Sequence, residues 1–203
     1  MRAHSRIQFT RLALIAIAAL PSAAVAQHDG AAAALVTKAP KEATQYEFLV
    51  GEWSLDVKQK ASGLAQQIHG VPKMHGTWKA WRALDGWGIE DELRITDASG
   101  NPLALTHFVR VFDAAAKHWK VSSVDAYRGT LTSATAEWKD GGMTSMADGT
   151  DPEGKAYISR VRISGITPTA FKYSLDRSFD GGKSWDEAVL TIDAKRTSAT
   201  AAR

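Results

Sequence analysis

From Gly51 onward the chain alternates apolar and polar residues in short runs separated by turn residues. In Trp53-Ser54-Leu55-Asp56-Val57-Lys58 every second position is apolar, the period of a strand with one buried face. That period places a first strand at 51–60. It returns in Thr77 to Ala83, Trp87 to Ile95, Leu103 to Phe112, Lys117 to Asp125 and Gly129 to Lys139, then in Met143 to Ala147, Ala156 to Ser164, Ala170 to Ser178 and Ser184 to Arg196. Between the runs lie Leu84-Asp85-Gly86, Ala98-Ser99-Gly100-Asn101-Pro102, Asp113-Ala114-Ala115-Ala116 and Asp140-Gly141-Gly142. Asp-Gly pairs between alternating runs are strong hairpin signals. Residues 63–72 carry no period and read as a loop. Helical periodicity is confined to one short turn within 44–50. The pattern predicts an all-β protein, a single antiparallel meander of about ten strands closed as a barrel. Closure removes exposed sheet edges, and a two-sheet sandwich is the competing architecture.

The parity of each strand shows which polar residues share a face with apolar ones. Ile89, Asp91, Leu93 and Ile95 share a face, which points Asp91 inward. Phe171, Tyr173, Leu175 and Arg177 form another, with Tyr173 in its middle. The strand 103–112 allows two readings. Leu103, Leu105, His107, Val109 and Val111 bring His107 inward, whereas Phe108 and Phe112 bring Arg110 inward instead. Trp78 and Trp81 occupy opposite faces, so one of them lies outside, against the leader or a partner chain. In the last strand Ala188, Leu190, Ile192 and Ala194 define the core face, and Arg196 has the same parity.

The ends of the chain alter the charge argument. Arg2, Arg6 and Arg11 precede the apolar run Leu12 to Leu20, Pro21 and the small-x-small site Ala24-Val25-Ala26. These features read as a secretory signal peptide over 1–26, in a run too short to span a bilayer comfortably. An Ala-rich flexible leader follows over 27–43, then the domain at 44–196 and a fraying tail at 197–203. The whole chain has 25 Lys+Arg against 22 Asp+Glu. Removing the three arginines of 1–26 leaves 22 against 22, so there is no charge-based case for nucleic acid. Cysteine is absent, so an exported chain must hold itself together by core burial. The expected location is the periplasm or the exterior, with no membrane anchor once the signal is cleaved. Oligomeric state is left open.

Phe48-Leu49-Val50-Gly51-Glu52-Trp53 contains the Gly-x-Trp that opens lipocalin-type, or calycin, barrels. The resemblance implies a basic residue of the last strand, here Arg196, packed over Trp53 at the closed end. Gly51, Trp53 and Arg196 are then structural. The longer Phe-Leu-x-Gly-x-Trp pattern also resembles nitrobindin-like haem barrels. With the Asp85-Gly86 hairpin, the strand end Arg110-Val111-Phe112-Asp113, Trp119 and the closing Asp-Gly-Gly-x-x-Trp, it is most similar to a bacterial secreted family, the domain of unknown function numbered 1579. These motifs span about 46–196. They imply a calycin-like barrel and no particular activity. Ser178-Phe179-Asp180-Gly181-Gly182-Lys183-Ser184-Trp185 resembles the Asp box of sialidase propellers. It occurs once, without the blade repeat, so Asp180 and Trp185 read as a turn staple.

Catalytic signatures are missing. Glu90, Asp91 and Glu92 are adjacent in one strand and cannot form a facing acid/base pair. There is no Gly-x-Ser-x-Gly elbow and no Gly-rich loop before a helix. His69 and His75 lack metal-helix spacing. Haem needs a cavity imidazole, for which His107 is the candidate in 27–203, and no histidine follows His118. No cofactor is expected. The main reading is an exported barrel that binds a small hydrophobic or amphipathic ligand through Asp91, His107, Arg110 and Tyr173. An enzyme using Asp91 or His107 as a general base is an alternative, and a filled structural barrel is another.

Overall fold

A computed structural model describes residues 38–61 and 63–200. The stretch assigned to the signal peptide, and the leader up to residue 37, lie outside the described residues. The ten predicted strands are all present: β1 Gly51–Gln59, β2 Met74–Ala83, β3 Gly88–Asp97, β4 Pro102–Asp113, β5 His118–Asp125, β6 Thr130–Lys139, β7 Gly142–Thr150, β8 Ala156–Ser164, β9 Ala170–Ser178 and β10 Asp186–Ser198. Each strand is hydrogen-bonded to its sequence neighbour, and β1 pairs with β10, so the sheet is a closed antiparallel barrel. The sandwich is excluded by that last pairing. Two short elements add to the prediction. The loop after β1 contains a helix, α1, Gly63–His69. The expected N-terminal turn is a pair of 3-10 turns, Lys41–Thr44 and Glu47–Leu49. The first begins inside the stretch read as a leader and buries Ala43.

Those turns close one end of the barrel. Tyr46 and Leu49 are buried there, and Tyr46 meets Trp119 edge to face at 4.8 Å between ring centroids. Phe171 packs likewise on Trp53 at 4.7 Å and on Trp78 at 5.7 Å. The three fully buried tryptophans each place their indole N–H on an acceptor: Trp53 on the Leu49 carbonyl at 2.7 Å, Trp78 on Asp91 Oδ1 at 2.7 Å, and Trp119 on Gln45 Oε1 at 2.9 Å. A buried indole left unpaired would forfeit the hydration it had when unfolded.

The Gly-x-Trp motif has a steric explanation. Arg196 pairs across the ladder with Trp53, and its guanidinium carbon lies 4.1 Å from the Trp53 ring centroid. It also donates to the carbonyls of Phe48, Val50 and Pro168, tying the N-terminal turn to the last strand. A Cβ on Gly51 would lie 2.5 Å from Arg196 Nη1 and 2.4 Å from the Ser198 carbonyl oxygen, and Gly51 has φ +124°. Only glycine accepts both that backbone and that neighbour.

The Asp box acts on a turn. Asp180 Oδ1 accepts from the Ser178 hydroxyl and from the backbone N–H groups of Lys183 and Ser184, and Oδ2 accepts from the Ser184 hydroxyl. Trp185 donates to the Gly182 carbonyl and lies beneath the Arg160 guanidinium at 4.0 Å. Asp176, fully buried, is held by Arg160, Arg162 and the Ala188 N–H. This outer network supports the wall beside β9.

Candidate functional site

Ladder register settles the face of every strand. Trp53 pairs with Trp78, Trp78 with Leu93 and Asp91 with Phe108. Ile89 faces Arg110, which pairs on its other side with Val121. The inner face of β4 is therefore Ala104, Thr106, Phe108, Arg110 and Phe112. The expectation that His107 faces the interior is overturned. Its side chain is 41% exposed, with Nε2 at 3.7 Å from Glu90 Oε2, and its ring stands 5.9 Å from that of Trp81 on the outer wall. Bulky Phe108 and Phe112 take the inner positions, and the aliphatic residues of the other parity pack outside.

Asp91 does face inward, yet it is not free. Arg110 grips it with two donors, Nε to Oδ2 at 2.5 Å and Nη2 to Oδ1 at 3.0 Å, and Trp78 supplies a third. Asp91 is 0% and Arg110 5% exposed. The guanidinium is also stacked between two rings, 4.8 Å from the centroids of Tyr46 and Phe108, with Nη1 at 3.4 Å from the Tyr46 hydroxyl. Burial pulls the Arg110 pKa down, but the Asp91 charge and its hydrogen bonds outweigh it, and the net shift is upward. Asp91 and Arg110 thus form a neutral pair locked in place.

Above that pair lies a cavity of about 250 Å³. Arg110 and Tyr46 form its floor. Its middle is apolar and aromatic, with Phe108, Val121, Met143, Ile163 and Tyr173. Toward the other end of the barrel it becomes hydroxylic, with Ser123, Thr132, Ser145 and Ser159, and Tyr157 and Arg177 complete this upper part. Burial pushes the Tyr173 phenol up to about 12, opposed by the Arg110 charge. The lining contains no histidine, so the imidazole that haem requires is not supplied. No cluster of three or more metal-ligating acidic or histidine side chains occurs among the described residues.

Of the four residues predicted to bind ligand, Arg110 and Tyr173 line the cavity, Asp91 sits behind Arg110, and His107 is outside. Neither candidate base reaches the cavity as a free group. Sequence reasoning left out the hydroxyl lining. Thr132 and Ser145 lie on strands whose inner face is not clearly apolar, so parity carries little signal there, whereas Ser159 shares the apolar face of Tyr157, Val161 and Ile163. Arg177 shares the Tyr173 face, as the parity of β9 predicts, and lines the cavity.

No protein-family model matches the chain, and no curated protein matches it. Among solved structures it is similar to EF1p2_mFAP2b bound to DFHBI, with 15% identity over 76% of this chain and 98% of that chain and a TM-score of 0.38. A likeness that remote leaves function to the geometry of the cavity.

Proposed function

We propose that this barrel is a binding protein for a compact amphipathic small molecule, held without covalent chemistry in the central cavity. The observation that supports it most is the cavity itself: apolar walls, a ring of hydroxyls and a pre-set polar floor, the usual composition of a ligand site. Its volume is just under the roughly 300–1,000 Å³ of drug-sized pockets. A cavity of that size selects a compact molecule. Asp91 belongs to the site indirectly, by fixing Arg110. Export to the periplasm or beyond is part of the proposal, supported by the signal-like residues 1–26. The opening and closing motifs support relating the chain to the domain-of-unknown-function 1579 proteins.

Native mass spectrometry of protein purified from its own host tests the binding reading. The expected result is a bound mass of small-molecule size that disappears in Ala147→Trp, which plugs the cavity from β7. An unliganded mass in both proteins, with no stabilisation of either by any compound of a metabolite library, overturns it.

A further inference from the structure

The two cations of the cavity are treated differently by their surroundings. Arg110 is saturated by a carboxylate and two rings. Arg177, on the same inner face of β9 one residue before its end, has no carboxylate within ion-pair distance among the described residues. Its Nε is buried and lacks a hydrogen-bond partner among them. A buried donor without an acceptor costs about 1–3 kcal/mol, so such groups call for an explanation. The guanidinium is nevertheless held in place, stacked 4.7 Å from the Tyr157 ring centroid.

The stack is itself supported. Tyr157 pairs across the ladder with Gly149, and a Cβ on Gly149 would lie 2.4–2.6 Å from atoms of the Tyr157 ring. The phenol end of the ring therefore occupies the space that a Cβ at position 149 would take. Phe179 closes against Tyr157 at 5.8 Å. An unpaired cation has been fixed at the hydroxylic end of a cavity whose other charges cancel.

Resting on the reading that the cavity takes a small molecule, we infer that its ligand is a compact monocarboxylate, with its acid group on Arg177 and its apolar or aromatic body toward Phe108 and Tyr173. The charge count selects the class. Asp91 and Arg110 sum to zero, leaving one net positive charge at Arg177, which a monoanion neutralises and a dianion overshoots. A planar carboxylate matches the fork of the two terminal guanidinium nitrogens through two parallel hydrogen bonds. Ser159, which pairs with Arg177 across the β8–β9 ladder, keeps its hydroxyl on the Ala147 carbonyl at 3.1 Å and leaves the guanidinium as the donor to the acid group.

Calorimetric titration with benzoate, 2-naphthoate and octanoate, each against its own carboxamide, tests the inference. The expected result is that at least one acid binds about tenfold or more tighter than its amide, the lower end for a charge-assisted hydrogen bond. In Arg177→Met that ratio falls to about one, and in Arg177→Lys it lies between, because the charge is kept and the fork is lost. Thermal melts of both variants verify that the barrel is intact. Amides binding as tightly as acids, or an acid preference that survives Arg177→Met, overturns the carboxylate assignment while the binding reading stands. No heat from any acid or amide, with Ala147→Trp indistinguishable from the parent, overturns both.

Discussion

Arg110 and Asp91 meet through two hydrogen bonds of 2.5 and 3.0 Å inside the barrel, with Trp78 donating to the same carboxylate at 2.7 Å. A buried ion pair gains little over an apolar replacement, but breaking it strands a charge. Asp91→Leu is expected to lower unfolding free energy by about 3–5 kcal/mol. Asp91→Leu combined with Arg110→Met is expected to recover much of that loss. The residual reflects the orphaned Trp78 indole, about 1–3 kcal/mol for a buried unsatisfied donor. Urea denaturation of the two single variants and the double measures the coupling; purely additive losses would contradict it.

At the closed end, Arg196 is expected to matter for stability alone. Arg196→Met removes the stack on Trp53 and three donations to backbone carbonyls. A loss of about 2–3 kcal/mol follows from charge-assisted bonds that are partly solvated. Ligand affinity, measured by calorimetry below the melting transition, is expected to stay within about twofold, because the residue lies at the opposite end from Arg177. Gly51→Ala is expected to be at least as damaging, since its Cβ would displace the same guanidinium.

Two turn carboxylates make the fold acid-sensitive in a defined window. Asp180, held by the Ser184 hydroxyl and backbone N–H groups, and Asp113, held by Lys120 and the N–H groups of Ala116 and Ala115, both titrate at about 2 rather than 3.8. A depressed folded value means the stabilisation is complete above about pH 4 and is lost as pH falls through about 2. Plotted against pH, the urea midpoint of Asp180→Asn is expected to fall less steeply than the parent's between those limits.

Tyr173 sets the opposite limit. Its phenol is pushed up to about 12 by burial. A raised folded value means its contribution is intact below the unfolded value near 10 and declines as pH rises toward 12. Phenolate absorbance of the native protein is expected to show a late-titrating tyrosine that Tyr173→Phe removes. A first-phase titration near 10 for Tyr173 would mean the cavity is flooded.

The barrel was almost fully legible because its strands bury one face each. Trp53, Leu55 and Val57, or Ile89, Leu93 and Ile95, state their parity plainly, and Asp-Gly and Asp-Gly-Gly mark the reversals. β4 was ambiguous because both its faces are apolar: Leu105 and Val109 on the outer wall compete with Phe108 and Phe112, and the pairing to β3 and β5 decides. α1 escaped notice because seven residues give too few turns for a helical period. The hydroxyl lining escaped for a different reason. A cavity is a place where the core is missing, so the apolar signal fades along its walls. Arg177 is legible as the charge on the Tyr173 face, but its lack of an ion pair is not, because its ladder partner Asp186 is taken by Lys60.

The hydrogen-bond ladder that runs from β1 through β10 and back is shortest between β6 and β7, where pairing stops at Thr135–Met146 and residues 130–134 and 147–150 do not pair across the seam. That seam, beside Ala134 and Ala147, is a route between cavity and solvent in addition to the connections at the end of the barrel opposite Arg196. For the proposed ligand, residence time can then be tuned along the β6–β7 seam without touching the contacts that set affinity.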